Sequence, residues 1–260
     1  MRSLAALAKI LRALVHAVAG WLTIRLLFPR WSQSRREATV QVWALRMLRI
    51  LGIPLHVQGR PPVHGPVLLI SNHLSWLDIL VMHAARHCRF VSKSDVKHWP
   101  LIGTLATGAG TLYIEREKRR DAMRVVHHMA ESLKAGEIVA VFPEGTTGDG
   151  NGLLPFHANL IQAAISARAP VQPVALRFVD RASGKDSGGP LYIGDDTLVG
   201  SLWRTLAGRP FVAHVHFGQP QEAEGRDRRE WARELREAVD ALRRGETDVP
   251  AEGGTQGARV

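Results

Sequence analysis

A chain of 260 residues with 45% apolar content is long enough for one large α/β domain with its own core, and its single cysteine, Cys88, excludes an internal disulfide framework and agrees with a reducing compartment. The formal net charge of +10 invites a nucleic-acid reading until the charges are located: residues 1–60 hold ten Lys and Arg against Glu37 alone, whereas residues 61–260 hold 24 basic against 23 acidic side chains. That distribution excludes a basic groove in the body of the protein and points to an anionic surface beside an N-terminal appendage.

From Leu4 to Phe28 the chain is mostly apolar but interrupted by Lys9, Arg12, His16 and Arg25. The longest stretch free of Lys, Arg, Asp and Glu, Ala13 to Ile24, is twelve residues, short of the roughly 20 that cross a hydrocarbon core. A helix lying in the membrane interface, with Trp21 and Trp31 as anchors, is the reading favoured over a signal peptide, because no clean small-residue cleavage site follows. A second amphipathic helix is predicted from about Ser32 to Leu51, where Val40, Trp43, Ala44, Met47, Leu48 and Leu51 recur at helical spacing opposite Arg36, Arg46 and Arg49. Each cation near an anionic leaflet contributes about 1 kcal/mol, so residues 1–51 form a membrane-associating helix pair in this reading.

Gly52 to Pro66 is a hinge, with Leu55–Gly59 as a first strand. The apolar run Pro66–Ile70 then predicts a buried strand that delivers Ser71, Asn72 and His73 to a loop at the sheet edge, where ligand-binding loops of open α/β sheets sit. An imidazole can accept a proton at neutral pH, and a carboxylate can fix its tautomer by taking the other N–H. His73 and Asp78 fit that pair only if His73 lies in the loop and Asp78 in the first helical turn, because five residues on one helix turn through about 500°. The same spacing fits a plain helix start, with Ser75 as N-cap and Asp78 favouring the positive helix end, so these residues by themselves support both readings.

Strands are predicted at Arg89–Ser92, Thr111–Ile114, Ile138–Phe142, Val171–Phe178 and Phe211–Phe217, and helices at Ser75–His87, from about Arg120 to Lys134, from the Pro155–Asn159 opening to Ala167 and from about Arg226 to Arg244. Trp99–Gly103 reads as an apolar patch too short for a core element, and residues 180–201 as a Gly-, Ser- and Asp-rich flap. Pro173 demotes its strand to an edge or bulge position. Arg116 heads a basic cluster at the end of a strand, where a guanidinium offers the paired donors a phosphate takes. Pro143 ends the strongest strand and puts Glu144 and Gly145 at the same sheet edge as His73 and Arg116; Gly145 permits close approach or a positive φ. His214 and His216 share a strand face, yet no third ligand of suitable spacing accompanies them, so no metal site is assigned. Residues 245–260 read as a disordered tail.

Asn72-His73, four residues, Asp78 resembles the first motif of the glycerolipid acyltransferases. Gly110–Arg116, Phe142–Thr146 and Val171–Ala175 are similar to the second, third and fourth motifs in that family's order, and together they cover roughly residues 60–180. The resemblance implies one α/β domain of glycerophosphate-acyltransferase type at residues 52–244, with a mixed sheet flanked by helices and preceded by the N-terminal helix pair. It implies an O-acyltransferase that moves an acyl chain from acyl carrier protein or acyl-CoA to the free hydroxyl of 1-acylglycerol-3-phosphate. In that reading His73 and Asp78 are catalytic, Arg116 binds the acceptor's phosphate, and Glu144, Gly145 and Thr146 complete the acceptor site, with no cofactor, metal or nucleic acid. The implied place is the cytoplasmic face of the inner membrane, peripheral or monotopic. The run Thr146–Gly150 followed by Leu153–Phe156 also looks like the lyso-ornithine-lipid acyltransferases of the same superfamily, and His157-Ala158 stands where the family commonly has Lys and Gly. A rival of another class, a non-catalytic basic membrane- or nucleic-acid-binding module, is disfavoured because the motif-bearing region is nearly neutral and lacks aromatic interleaving.

Overall fold

The computed structural model describes residues 2–114 and 119–246. Among them the chain runs through α1 (Arg2–Leu26), a 3-10 turn, α2 (Gln33–Leu51), β1 (Leu55–Gln58), β2 (Val67–Ser71), α3 (Leu77–Ala85) and β3 (Arg89–Lys93). A second 3-10 turn, α4 (Ile102–Gly108), β4 (Leu112–Ile114), α5 (Arg119–Lys134), β5 (Ile138–Val141) and α6 (Ala158–Ala167) follow. The chain then continues through β6 (Val171–Asp180), α7 (Leu198–Ala207), β7 (Phe211–Phe217) and α8 (Arg228–Arg244).

The strands form one seven-stranded mixed sheet in the order β1-β7-β6-β2-β5-β3-β4, as the α/β reading anticipates. Neighbours are parallel except β6 and β7. β2 lies in the middle and is buried along its whole length, which is why it reads as an unbroken apolar run rather than an alternating one. Its side chains still alternate: Val67 and Leu69 join the core under α2, α3 and α7, whereas Leu68 and Ile70 join the core under α5, α6 and α8. Because β2, β3, β5 and β6 run the same way, the loops after them gather at one edge of the sheet.

Two helices missed by periodicity appear. α7 starts in the last residues of the predicted flap and runs past it: Thr197 caps it by accepting from the Gly200 N–H at 3.1 Å, and it buries Ser201, Thr205 and Leu206. Leu202, Leu206 and Ala207 pack against the core on its inward face. α4 begins inside the short apolar patch, at Ile102, and runs on beyond it, packing on α1 and on the 3-10 turn before it. The edge position inferred for β6 is corrected, since β6 pairs with both β2 and β7. Pro173 is tolerated because the β7 ladder starts at Val174–Phe217, one residue beyond it, while its carbonyl still accepts from the Gly218 N–H at 2.8 Å.

α1 and α2 form the predicted helix pair. Ser32 caps α2 by accepting from the Arg35 N–H at 3.4 Å, and Gly52 ends it in the left-handed region. α1 crosses α2 where Gly20 faces Trp43, with only 2.5 Å between a built Cβ and the indole nitrogen, so no larger residue fits without a shift. His16 stacks on the same indole, and the two side chains exchange hydrogen bonds with each other's backbone carbonyls. By length and composition α1 could cross a membrane, and yet its inward face packs on α2, α4 and α7. Its outer face leaves Leu4, Leu7, Leu11, Leu14, Val18 and Leu22 exposed. The predicted tail lies outside the described residues from 247 onward.

Candidate active site

His73 leaves the carboxyl end of β2 in the loop before α3, and Asp78 is the second residue of that helix. This is the one arrangement in which the two can meet, and they do: His73 Nδ1 lies 2.7 Å from Asp78 Oδ2. The same Asp78 oxygen accepts from the backbone N–H groups of Leu74 at 2.6 Å and Ser75 at 2.8 Å. One buried carboxylate thus both closes the turn before α3 and holds the imidazole, while the expected N-cap is corrected: Trp76, not Ser75, stands at that position. Ser75 contributes its hydroxyl, which accepts from the Leu77 N–H at 3.3 Å.

The imidazole is held on further sides. Phe142 stacks flat on it, with ring centroids 4.1 Å apart and planes 6° from parallel, and Phe90 stacks behind Phe142. The His73 backbone N–H donates to Glu144 Oε1 at 2.8 Å, while its carbonyl accepts from the Gly148 N–H at 2.8 Å. The His73 side chain keeps 20% of its surface exposed, and its Nε2 has no partner among the described residues. A ring oriented by a carboxylate at Nδ1 and open at Nε2 is set up to take a proton from an incoming group.

Glu144 follows β5, buried, and its second oxygen accepts from the Leu154 N–H at 2.8 Å. Burial pushes its carboxyl above the ordinary value of 4.5, against the opposing pull of the Leu154 and His73 N–H groups. Gly145 has φ +73°, and a Cβ there would lie 3.0 Å from the His157 ring, so the turn that returns the chain past Glu144 favours glycine on both counts. Thr146 is exposed on the same loop. Arg116, the expected phosphate ligand, lies outside the described residues.

Residues the sequence reading left without a role complete the edge. Asn72 is fully buried, its amide donating to the Leu176 carbonyl at 3.0 Å and its oxygen accepting from the Leu176 N–H at 2.8 Å. It thus extends the β2–β6 ladder by a side chain and fixes where the His73 loop departs. Tyr192 donates its N–H to the Leu74 carbonyl at 3.0 Å, and Thr147 donates its hydroxyl to the Tyr192 carbonyl. The stretch expected as a flap is therefore tied to the His73 loop. Asn beside His was visible in the sequence; its partner 104 positions away was not.

His56 and His214 meet Nδ1 to Nδ1 at 3.1 Å, and no cluster of three or more metal-ligating side chains occurs among the described residues. Cys88 is buried, and burial pushes its thiol up, away from the reactive thiolate.

Comparison with known proteins gives the class. The family model described as Acyltransferase matches residues 54–177. The chain is 36% identical over 228 residues to a lyso-ornithine lipid O-acyltransferase of Pseudomonas aeruginosa, covering 87% of each chain. It is 37% identical over 220 residues to a 1-acyl-sn-glycerol-3-phosphate acyltransferase of Neisseria meningitidis, covering 84% of this chain and 85% of the relative. The crystal structure of a 1-acyl-sn-glycerophosphate (LPA) acyltransferase from Thermotoga maritima superposes with a TM-score of 0.73 at 20% identity, over 97% of this chain and 100% of that one, and so shares the fold. The protein belongs to the acyltransferase family, as the four motifs imply. Its enzyme class is O-acyltransferase.

Proposed function

We propose that this enzyme transfers an acyl chain from an acyl thioester to the free hydroxyl of 1-acylglycerol-3-phosphate, giving phosphatidate. The observation that carries the reading is the His73–Asp78 contact of 2.7 Å with the far nitrogen of the ring open. His73 Nε2 takes the proton of the acceptor hydroxyl, and Asp78 steadies the imidazolium that forms. The oxygen attacks the thioester carbonyl carbon. The tetrahedral intermediate then collapses by breaking the C–S bond, and the leaving sulfur recovers the proton from His73. The thioester is already activated, so no covalent acyl-enzyme is needed, and the sequence has no Gly-x-Ser-x-Gly elbow to form one.

Glu144 acts first as a brace of the His73 loop, with one backbone N–H on each oxygen and a lone pair left on each for the acceptor. Arg116 grips the acceptor's phosphate; Gly145 and Thr146 shape the turn beside it. The exposed leucines of α1 lie in the bilayer surface, with the surplus cations of residues 1–60 against anionic headgroups. A soluble thioester donor, acyl carrier protein or acyl-CoA, places that surface on the cytoplasmic side of the inner membrane.

A second reading, acylation of a lyso-ornithine lipid, is supported by the Pseudomonas relative, 36% identical over 228 residues against 37% over 220 for the Neisseria one. Assay of the purified enzyme with each thioester on both acceptors separates them. Faster transfer to lysophosphatidate, with Arg116→Ala raising KM for it, supports the first reading; faster transfer to lyso-ornithine lipid with indifference to Arg116→Ala supports the second.

A further inference from the structure

A cavity of about 550 Å³ opens between the α1–α2 corner and α4. Its wall includes Arg89, the first residue of β3, and Glu137, just before β5. It therefore reaches the amino edge of the sheet, opposite the edge that carries His73 and Glu144. Arg89 is satisfied there: it forms an ion pair with Glu137 and donates to the Gly110 carbonyl at 2.8 Å. The remaining three cations of the wall, Arg25, Arg36 and Lys97, have no carboxylate partner among the described residues. Arg36 is held in place by donating Nε–H to the Trp31 carbonyl at 3.1 Å, which leaves its two terminal nitrogens free to bind, and Arg25 lies over the Trp21 ring.

Three uncompensated cations around one concavity repel each other and concentrate an anion. The surroundings say which kind. At about 100° per residue, Arg25 stands on the shoulder of α1 between Ile24, which lines the cavity, and Leu22 and Leu26, which are 44% and 58% exposed. Leu27, at 43% exposure, and the half-buried rings of Trp21 and Trp31 border the same end. A guanidinium there reaches the cavity while its helix offers an apolar surface outside. We infer that the cavity lined by Arg25, Arg36 and Lys97 is a second lipid site, which seats the phosphate of an anionic bilayer phospholipid while the acyl chains lie along Leu22, Leu26 and Leu27. The site ties the α1–α2 corner to α4 through a lipid, away from the reacting centre. The inference rests on the membrane-surface reading of α1.

The test uses the full-length enzyme and short lipids below their micelle concentration, so that it does not depend on vesicle binding. Dihexanoyl phosphatidylglycerol, dihexanoyl phosphatidylcholine and inorganic phosphate are titrated by calorimetry on wild type, on Arg36→Gln/Lys97→Gln and on the charge-matched control Arg46→Gln/Arg49→Gln, whose residues are exposed on α2 outside the cavity. Thr104→Phe, which fills the cavity without altering charge, stands in if the double variant does not fold. Saturable binding of phosphatidylglycerol is expected, about tenfold weaker in the cavity variants and about unchanged in the control, as for loss of charge-assisted hydrogen bonds. Its persistence in Arg116→Ala separates it from the acceptor site. Equal weakening in the control variant, or no saturable binding at all, overturns the inference; equal competition by inorganic phosphate overturns the assignment to a lipid. Sedimentation with phosphatidylglycerol vesicles tests the membrane-surface reading separately.

Discussion

Two histidine contacts made at Nδ1, His56 with His214 and His73 with Asp78, differ in what the imidazole faces. His56 and His214 meet across the parallel β1–β7 pair, nitrogen to nitrogen, with one ring donating and the other accepting. His73 meets a fully buried carboxylate, is stacked on Phe142, and keeps its second nitrogen open at the carboxyl edge of the sheet. A neutral histidine partner offers an imidazolium a hydrogen bond and no more; an aspartate adds a full negative charge beside it. What sets the candidate base apart is thus the negative charge behind it, held by the helix start that Asp78 also closes.

The largest expected effect tests the open nitrogen. His73→Ala should lower kcat by about 10²- to 10⁴-fold with little change in fold, measured as ester formation under saturating substrates alongside a thermal melt. Next comes the carboxylate, where helix closure and catalysis can be separated. Asp78→Ala strips the acceptor from His73 Nδ1 and from two backbone N–H groups, and should cost about 3 kcal/mol in a denaturant titration as well as the activity. Asp78→Asn keeps one oxygen for the backbone, loses the charge and puts its amide NH2 where Oδ1 has no partner, so its rate should fall on the order of 10²-fold while more of the stability survives than in Asp78→Ala. Equal stability losses in the two variants, with the rate intact in Asn, would reduce Asp78 to a helix cap.

Glu144 tests the brace. Its carboxyl is raised by burial, so the folded chain holds that proton more tightly than the unfolded chain. The group's stabilising contribution is therefore full below the ordinary value of 4.5 and is lost as pH climbs through the raised one. Glu144→Gln removes this dependence and turns an N–H donor toward the Leu154 N–H, at a cost of about 1 kcal/mol. Denaturation of both proteins at pH 7 and pH 4.5 should show wild type losing less stability on acidification than the variant. The smallest effect belongs to the other histidine pair. His214 is lowered from 6.5 chiefly by burial, then by His56, so its contribution to stability is present above pH 6.5 and lost as pH falls below it. His214→Gln should flatten that slope and leave the acyl-transfer rate within about twofold.

Much of the sheet was legible because each strand is a short apolar or alternating run bounded by turn residues, and the sequence positions of β1 to β7 follow those runs. The placement of His73 was legible for the same reason: a buried strand has to end where its polar residues begin. What escaped depends on partners distant in the chain. Asn72 is a clamp only because Leu176 lies beside it, and Pro173 sits inside the sheet only because the β7 ladder begins one residue later. α7 starts inside a stretch whose Gly, Ser and Asp content reads as a loop, although Leu198, Leu202 and Leu206 recur at helical spacing from its first residue on. Glu144 was recognised as part of a motif, yet its brace of His73 is a contact across 71 residues that spacing does not reveal.

The central claim is direct transfer: His73 activates the acceptor hydroxyl, and the acyl group passes to it without first resting on the protein. Single-turnover release of thiol from an acyl thioester, followed with and without lysophosphatidate, tests it in one step. The account predicts that thiol appears only when acceptor is present and in equal amount to the ester formed, with both lost in His73→Ala. A burst of thiol without acceptor, leaving acyl groups on the protein, would contradict it.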